Sequence, residues 1–391
     1  MRALARTLLP CTLLLLFAGA ASGQSQEVRH STYHDYRIVP VVDGLIRPWS
    51  MAFLPNGDML VTEQPGRLRI VREGRLLEQP VSGVPEVFYK GQGGLLDVVL
   101  HPDFASNRLL YLSYSKPLED EESTTAVIRG RYSDGALSDV EEVFVAQSRG
   151  RGHYGSRLAF DEQGYLFISV GDRQVPPTGD LAAHPAQQLS DHHGVIIRLH
   201  DDGRIPADNP FVQDAKALPE IWSYGHRNPQ GMALDRASST LWITEHGPQG
   251  GDELNRITPG ANYGWPVIGY GVNYGVGTTI HATTHADGME QPLKIWVPSI
   301  ATSGLALYRG SAFPNWDGYL FAGGLSGQQL TLLGMEDGKV VHEETLARDI
   351  GRLRDVRTGP DGYLYLALDD RGAKPSAIVR LEPVPIAQRL D

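Results

Sequence analysis

The sequence predicts an all-β fold, a six-bladed β-propeller with four-stranded antiparallel blades, and three observations carry that prediction. A unit of short apolar strand, turn and second strand recurs six times, with starts about 45 to 75 residues apart. The turn, where it carries Asp-Gly or Asn-Gly, supplies the positive φ that a tight hairpin needs. Gly at 44 residues and Pro at 26 favour many turns over long helices. Six hairpin-based units of this period close naturally into a ring with a ligand site at its central channel.

Taken in order, the copies begin at Met51 (MAFLPNGDMLVTEQ), Leu95 (LLDVVLHPDFASNRLLYLSYS) and Ser156 (SRLAFDEQGYLFISVGDR). They continue at Gly231 (GMALDRASSTLWITEHGP), Ser303 (SGLALYRGSAFPNWDGYLFAGGLS) and Leu353 (LRDVRTGPDGYLYLALDDRG). A β-sandwich or two small β domains would not repeat one strand–turn–strand signature in this way. Residues 34–48, HDYRIVPVVDGLIRP, read as one lone strand before the first full copy. That strand is expected to complete the last blade and so remove a free sheet edge. No Pro-, Ser- or charge-rich linker divides the chain, so residues 24–391 are read as a single propeller domain.

The first 23 residues are read separately. MRALART is a basic start, LLPCTLLLLFAGA an apolar core, and AASGQ a small-residue cleavage site after Gly23. This pattern is a cleavable secretory signal peptide, the apolar run being too short for a membrane span. Cys11, the single cysteine, would leave with it, which excludes disulfides and thiol catalysis in the mature chain. The expected location is periplasmic or secreted, with no membrane span in the mature chain. A formal charge of −11 argues against a nucleic-acid partner, which would want a basic stripe. It fits a small neutral substrate better.

Residues able to carry chemistry gather at the strand ends. In Lys90-Gly-Gln-Gly-Gly94, Gln92 is either an amide brought close to a ligand or part of a plain flexible turn. His153 lies in the Gly-rich loop Arg149–Arg157 and is a candidate general base, with Asp172 at the far end of the same hairpin to orient it. The bland alternative is a hydrogen-bonded surface histidine. Arg227 offers a fixed positive fork for a developing oxyanion and Asn228 a neutral donor, or else an ion pair and a turn-former. Glu245 and Glu253, with the carbonyls of Gly247 and Pro248, are the oxygen ligands that Ca²⁺ takes, unless the carboxylates are simply solvated. Arg352 and Arg354, two residues apart on a strand, point the same way and suit a carboxylate-rich ligand; a solvated edge is the alternative. His192 and His193 have no second cluster at zinc-like spacing and are read as non-metal. Neither GxGxxG after a strand nor GxSxG occurs, which disfavours a dinucleotide fold and an α/β-hydrolase.

From about Leu45 to Leu381 the chain resembles the soluble PQQ-dependent sugar dehydrogenases, in the aldose sugar dehydrogenase branch of the glucose/sorbosone dehydrogenase family. The resemblance rests on GQGGLLDVVLHPDF, GHYGSRLAF, SVGDR, WSYGHRNPQGMA, TEHGPQGGDELN, NYGWP and RDVRTGPDGYLY, in that order. It implies a six-bladed propeller oxidising aldoses with PQQ and Ca²⁺ as cofactors and an unidentified electron acceptor as partner. His153, supported by Asp172, would take the proton of the sugar's C1 hydroxyl while hydride passes to the quinone, giving a lactone. Gln92 would contact quinone and substrate, and Arg227 and Asn228 the quinone oxygens. Arg352 and Arg354 would clamp cofactor carboxylates, and Tyr274 would lie near the cofactor. One Ca²⁺ would use the carbonyls of Gly247 and Pro248, and a second, structural Ca²⁺ would use Glu253 and Tyr263. The chain departs from the family's pattern at Gly323-Gly-Leu-Ser326, where Ser326 stands in place of a lysine that meets a cofactor carboxylate.

Two other functions compete: a calcium-dependent propeller lactonase, and a non-catalytic propeller that binds sugar or a partner protein. The Arg-x-Arg strand speaks against the first, since a lactonase holds no polycarboxylate. The second leaves His153, Asp172 and Arg227 without a joint purpose. Sugar preference is expected to lie in loops over the mouth, notably Asp201–Lys216 and Thr278–Lys294.

Overall fold

The structure, a computed structural model, describes residues 27–371 and 376–385; the proposed signal peptide and Cys11 lie outside them. Six four-stranded antiparallel sheets form a ring. The first five run in simple sequence order over Pro48–Leu76, Leu95–Val145, Leu158–Tyr224, Pro229–Trp296 and Thr302–Leu346. Each copy read from the sequence is the first hairpin of one of these sheets. Among the described residues, helix is confined to short turns such as Phe104–Asn107.

The sixth sheet takes Leu353–Thr358, Leu364–Leu368 and Ser376–Pro383 from the end of the chain and Tyr36–Leu45 from its beginning. Tyr36–Leu45 pairs antiparallel with Ser376–Pro383, with irregularities after Pro40 and Val42. The lone strand expected from residues 34–48 therefore closes the ring. Its Tyr36 is buried against Trp316, and the Tyr36 hydroxyl accepts the Ala347 N–H at 2.9 Å. A strand from the chain's start is thereby fastened to two blades at once.

The second strand of each sheet is largely buried on both faces, because it is covered by a neighbouring blade on either side. Met59–Glu63, Leu166–Val170, Leu320–Gly324 and Leu364–Leu368 are buried at every position. The hydrophobic core accordingly lies in the seams between blades. The first strands lie innermost and pack against one another around the axis.

Partway along that axis the channel is crossed by buried charge. Arg157 Nη1 reaches Asp355 Oδ1 at 2.7 Å, and Arg357 reaches Asp355 Oδ2 at 2.9 Å and Asp97 Oδ1 at 2.7 Å. Ser50 Oγ donates to Asp97 Oδ1, and Asp97 Oδ2 accepts the Leu158 N–H at 2.9 Å. The network ties the first, second, third and sixth blades together and balances two cations with two anions. Arg157 is sandwiched further by the Trp49 ring, 4.1 Å from its guanidinium carbon. Removing one partner would strand a buried charge. Asp355→Ala is therefore expected to cost about 3–5 kcal/mol in urea-unfolding stability, far beyond a typical surface substitution.

Candidate active site

Strand direction decides which loops meet. The first strand of a blade runs away from one end of the ring and the second runs back, so the first-strand entries and second-strand exits share that end. A cavity of about 150 Å³ there is lined by residues of every blade. Arg47, Trp49 and Gln64 come from the first blade, Gln92 and Leu96 from the second, and Tyr154 from the third. Asn228, Gln230 and His246 come from the fourth, Ala301 and Leu325 from the fifth, and Arg352, Arg354 and Arg371 from the sixth. A second cavity, about 420 Å³, adjoins it through Gln92 and His246 and holds His153, Asp172, Arg227, Pro248, Trp265 and Tyr274.

His153 is placed by local strain and close approach. Its φ is +44° and that of Ser156 is +73°, in a loop where Gly150 and Gly155 also take positive φ. Arg173 pins this loop by donating to the His153 carbonyl at 3.1 Å and the Gly150 carbonyl at 3.0 Å. Gln92 Oε1 accepts the His153 N–H at 2.8 Å. At Gly171 a Cβ would lie 2.2 Å from the His153 carbonyl oxygen, so only glycine fits beside the imidazole's backbone.

The imidazole Nδ1 lies 2.5 Å from Asp172 Oδ1, and Trp265 Nε1–H donates to Asp172 Oδ2 at 2.8 Å. Asp172 also accepts the Gln174 N–H at 3.0 Å, so the carboxylate is held from three sides. Burial alone would push the Asp172 carboxyl up, but His153, Arg227 and the Gln174 N–H outweigh it and hold it below the usual range. An ionised Asp172 assigns the His153 proton to Nδ1 and leaves the Nε2 lone pair free. Burial, aided by Arg227, holds the His153 pKa below its ordinary value despite Asp172. The ring is therefore neutral near pH 7, as a base must be.

Arg227 is held by its own loop. Its N–H donates to Glu245 Oε2 at 2.7 Å, and Nη1 donates to the carbonyls of Gly247 at 2.7 Å and His246 at 3.2 Å. The guanidinium carbon sits 5.1 Å from the Trp265 ring centre, and Nε is buried with no partner. Asn228 Oδ1 accepts the Gly155 N–H at 3.2 Å, and the residue lines the first cavity. Arg354 Nη1 donates to Gln230 Oε1 at 2.9 Å and Arg352 Nη1 to the Leu325 carbonyl at 3.3 Å; both Nε atoms are buried and unpartnered. Arg352 immediately precedes the strand Leu353–Thr358, and both side chains line one cavity, as residues two apart in extended chain do. Burial, only partly offset by Asp369, pushes the Arg354 pKa down to about 9.

The oxygen-rich loop divides into unequal parts. Glu245 accepts from His226 Nδ1 at 3.0 Å, Asn255 Nδ2 at 3.1 Å and the Arg227 N–H. Oε1 thus accepts two of these bonds and Oε2 one, which holds the His226–Arg227 turn in place. Glu253 keeps one oxygen without a protein partner, the other accepting Asn255 Nδ2 at 3.0 Å. Tyr263's hydroxyl is committed to Arg256 and Thr258, so only its carbonyl remains available for a cation. A small space of about 20 Å³, enough for one water-sized occupant, is bounded by Glu245, Gly247, Pro248, Gly251, Glu253 and Tyr263. His192 and His193 lie elsewhere, bonded to Glu220 and Asp191.

One sequence-derived expectation needs correction. The loop Asp201–Lys216 begins at the opposite end of the ring, where the Asp201 carbonyl accepts the Tyr111 hydroxyl at 2.8 Å. None of its residues lines either cavity; Gln174, Val175, Pro176, Pro177 and Ile280 do. Tyr274 is 65% exposed and lines the second cavity at its mouth, in the same cavity as His153 and Arg227. Residues that sequence reasoning passed over include Trp265, Arg47 and His246. His246 is pushed down to about pH 3, chiefly by burial and then by Arg227, and its Nε2 has no partner.

Glu253 yields a pH test. Burial first, then the Glu245 charge, pushes its carboxyl up to about 8. The folded chain would therefore keep a proton that the unfolded chain loses near pH 4.5, so metal-free stability should fall as pH rises from about 4.5 to 8. Urea titrations of chelator-treated protein should show this decline, flattened in Glu253→Gln.

A sequence-family profile described as "Glucose / Sorbosone dehydrogenase" matches residues 45–380. The chain is 46% identical over 335 residues to "Aldose sugar dehydrogenase YliI" of Escherichia coli, covering 84% of this chain and 88% of that protein. The apo-form crystal structure of the soluble aldose sugar dehydrogenase of Escherichia coli superposes with a TM-score of 0.82 at 42% identity, over 89% of this chain and 100% of that one. The PQQ-bound form of aldose sugar dehydrogenase from Streptomyces coelicolor gives 0.72 at 28% identity, over 89% and 98% of the two chains.

Proposed function

The chain belongs to the glucose/sorbosone dehydrogenase family, and from that premise we propose that it is a periplasmic or secreted quinoprotein oxidising the C1 hydroxyl of aldoses to lactones. The observation that carries this reading is the adjacency of two cavities. One is walled by guanidinium groups, three of them with buried, unpartnered Nε atoms, and the other by a neutral, oriented histidine. Buried cationic donors without partners fit a ligand rich in carboxylates and carbonyl oxygens. The relative solved in PQQ-bound form supports that choice of cofactor.

Arg352 and Arg354 would hold cofactor carboxylates, while Arg227 and Asn228 would donate to its quinone oxygens and Gln92 would reach it from the second blade. The free lone pairs on the Gly247 and Pro248 carbonyls would serve one Ca²⁺, and Glu253 with the Tyr263 carbonyl a second. Bound PQQ supplies the two-electron acceptor for the hydride leaving C1, a chemistry that no side chain here provides.

The protein's own part is proton chemistry and positioning. His153 Nε2 accepts the hydroxyl proton, and Asp172 stabilises the cation so formed through Nδ1–H. Trp265 and the Gln174 N–H keep Asp172 from rotating away. Arg227 lies beside the developing negative charge, where losing one such donor costs about 3–4 kcal/mol in the barrier. A lactonase or a non-catalytic binding ring would leave the guanidinium-lined cavity without a ligand.

Reconstitution tests the proposal. Chelator-treated protein lacking residues 1–23 would be given Ca²⁺ with and without PQQ, then an aldose and an electron-accepting dye. Dye reduction should require both additions. His153→Ala should lower turnover by about 10²- to 10⁴-fold while PQQ still quenches tryptophan fluorescence. Because the His153 pKa lies below its ordinary value, kcat/KM should hold down to about pH 6.5 and fall only below it. Turnover without PQQ, or full activity in His153→Ala, would defeat the reading.

A further inference from the structure

Arg47 occupies the seam where the ring closes. It stands between the closing strand Tyr36–Leu45 and the first strand of the first blade, Pro48–Phe53. Its φ is +50°, a conformation that arginine adopts only when its surroundings impose it. Glu63 imposes it. Glu63 Oε1 accepts the Ile46 N–H at 2.6 Å, while Oε2 is fixed by Arg67 at 2.7 Å. On the other side the Arg47 carbonyl accepts the Gln64 N–H at 3.0 Å. A backbone strained and pinned from both sides directs the guanidinium into the axial cavity.

Inside the cavity the charges do not balance. Four guanidinium groups, Arg47, Arg352, Arg354 and Arg371, line it. Asp369 is the buried acid among them, 1% exposed, with neither carboxylate oxygen hydrogen-bonded among the described residues. Arg47 Nε approaches it only to 3.6 Å and is itself buried without a partner. Asp370 spends one oxygen on the Arg352 N–H, at 3.3 Å. Among the described residues two carboxylates thus face four cations, and donors and acceptors stand close without closing on one another. Such a set is arranged for an absent anion rather than for itself.

The donors also come from two directions. Arg352 and Arg354 enter from the sixth blade, with one nitrogen each already given to Leu325 and Gln230. Arg47 enters from the first blade, across the seam. Ser326 offers only an exposed hydroxyl, 3.4 Å from the Ser299 carbonyl. We propose that Arg47 is a cofactor-binding residue, holding from the first blade a carboxylate of a planar tricarboxylate that Arg352 and Arg354 do not satisfy, and supplying the cation that Ser326 does not. Asp369 gathers the guanidinium groups before the anion arrives. This inference rests on the quinoprotein reading.

Binding, not turnover, tests it. PQQ would be titrated with Ca²⁺ present into chelator-treated unaltered protein, Arg47→Ala, and Arg47→Ala combined with Ser326→Lys, following tryptophan fluorescence. Arg47→Ala should weaken binding about 10- to 100-fold, the worth of one charge-assisted hydrogen bond, with its unfolding midpoint before PQQ addition unchanged. Ser326→Lys should restore most of the loss. Binding by Arg47→Ala within twofold of the unaltered protein would overturn the assignment while leaving the function intact. A loss that Ser326→Lys does not relieve, accompanied by a lowered midpoint, would make Arg47 a structural residue and overturn it too. Failure of the unaltered protein to bind PQQ would bring down the functional reading and this inference together.

Discussion

Everything at the active end of this protein depends on the charge network that closes the channel. Arg157, Asp97 and Asp355 are buried at the axis with Arg357 half-buried beside them, where an unmatched charge would be prohibitive and a matched set is neutral. The network holds the inner strands in one arrangement and gives the cavity above it a floor. Arg157 also donates to the carbonyls of Gln230, at 2.7 Å, and Arg354, at 3.1 Å. The residues that carry the floor therefore fix the backbone of the residues that carry the site.

Above the floor, two environments stand side by side. Positive charge dominates around Arg354, where burial works against each guanidinium and no full complement of acids relieves it. Around His153 a single carboxylate is held by an imidazole, an indole and a backbone N–H, which fixes the tautomer and leaves one lone pair free. Arg227 lines the second, depressing the basicity of His153 and of His246, which the two cavities share, while binding the Gly247 carbonyl. An anionic ligand in the first cavity and a neutral hydroxyl substrate in the second is the division that this electrostatic pattern favours.

Much of this was legible in the sequence, for physical reasons. A propeller repeats its first hairpin, and that hairpin has a buried second strand and a turn with positive φ, so six copies announced the ring. Gly-flanked His153 and the Asp172 that ends its hairpin were legible because close backbone approach demands glycine, as Gly171 shows. Trp265 was not, since an indole donor to a carboxylate 93 positions away leaves no local mark. Arg47 was hidden for a similar reason, its significance arising only when the two ends of the chain meet. The loop at Asp201–Lys216 was misplaced because strand parity was ignored. It joins the third and fourth strands of its blade, Val195–Leu199 and Ile221–Tyr224, and such connections start at the end away from the first-strand entries.

The central claim is that a carboxylate-rich quinone and a sugar occupy adjacent cavities prepared by opposite electrostatics. A crystal structure of the protein with PQQ, Ca²⁺ and a non-oxidisable sugar analogue tests it most directly. The account predicts PQQ at the axis with carboxylates on Arg354, Arg352 and Arg47, and the sugar's C1 substituent at hydrogen-bond distance from His153 Nε2. PQQ elsewhere on the ring, or a sugar bound away from His153, would contradict it.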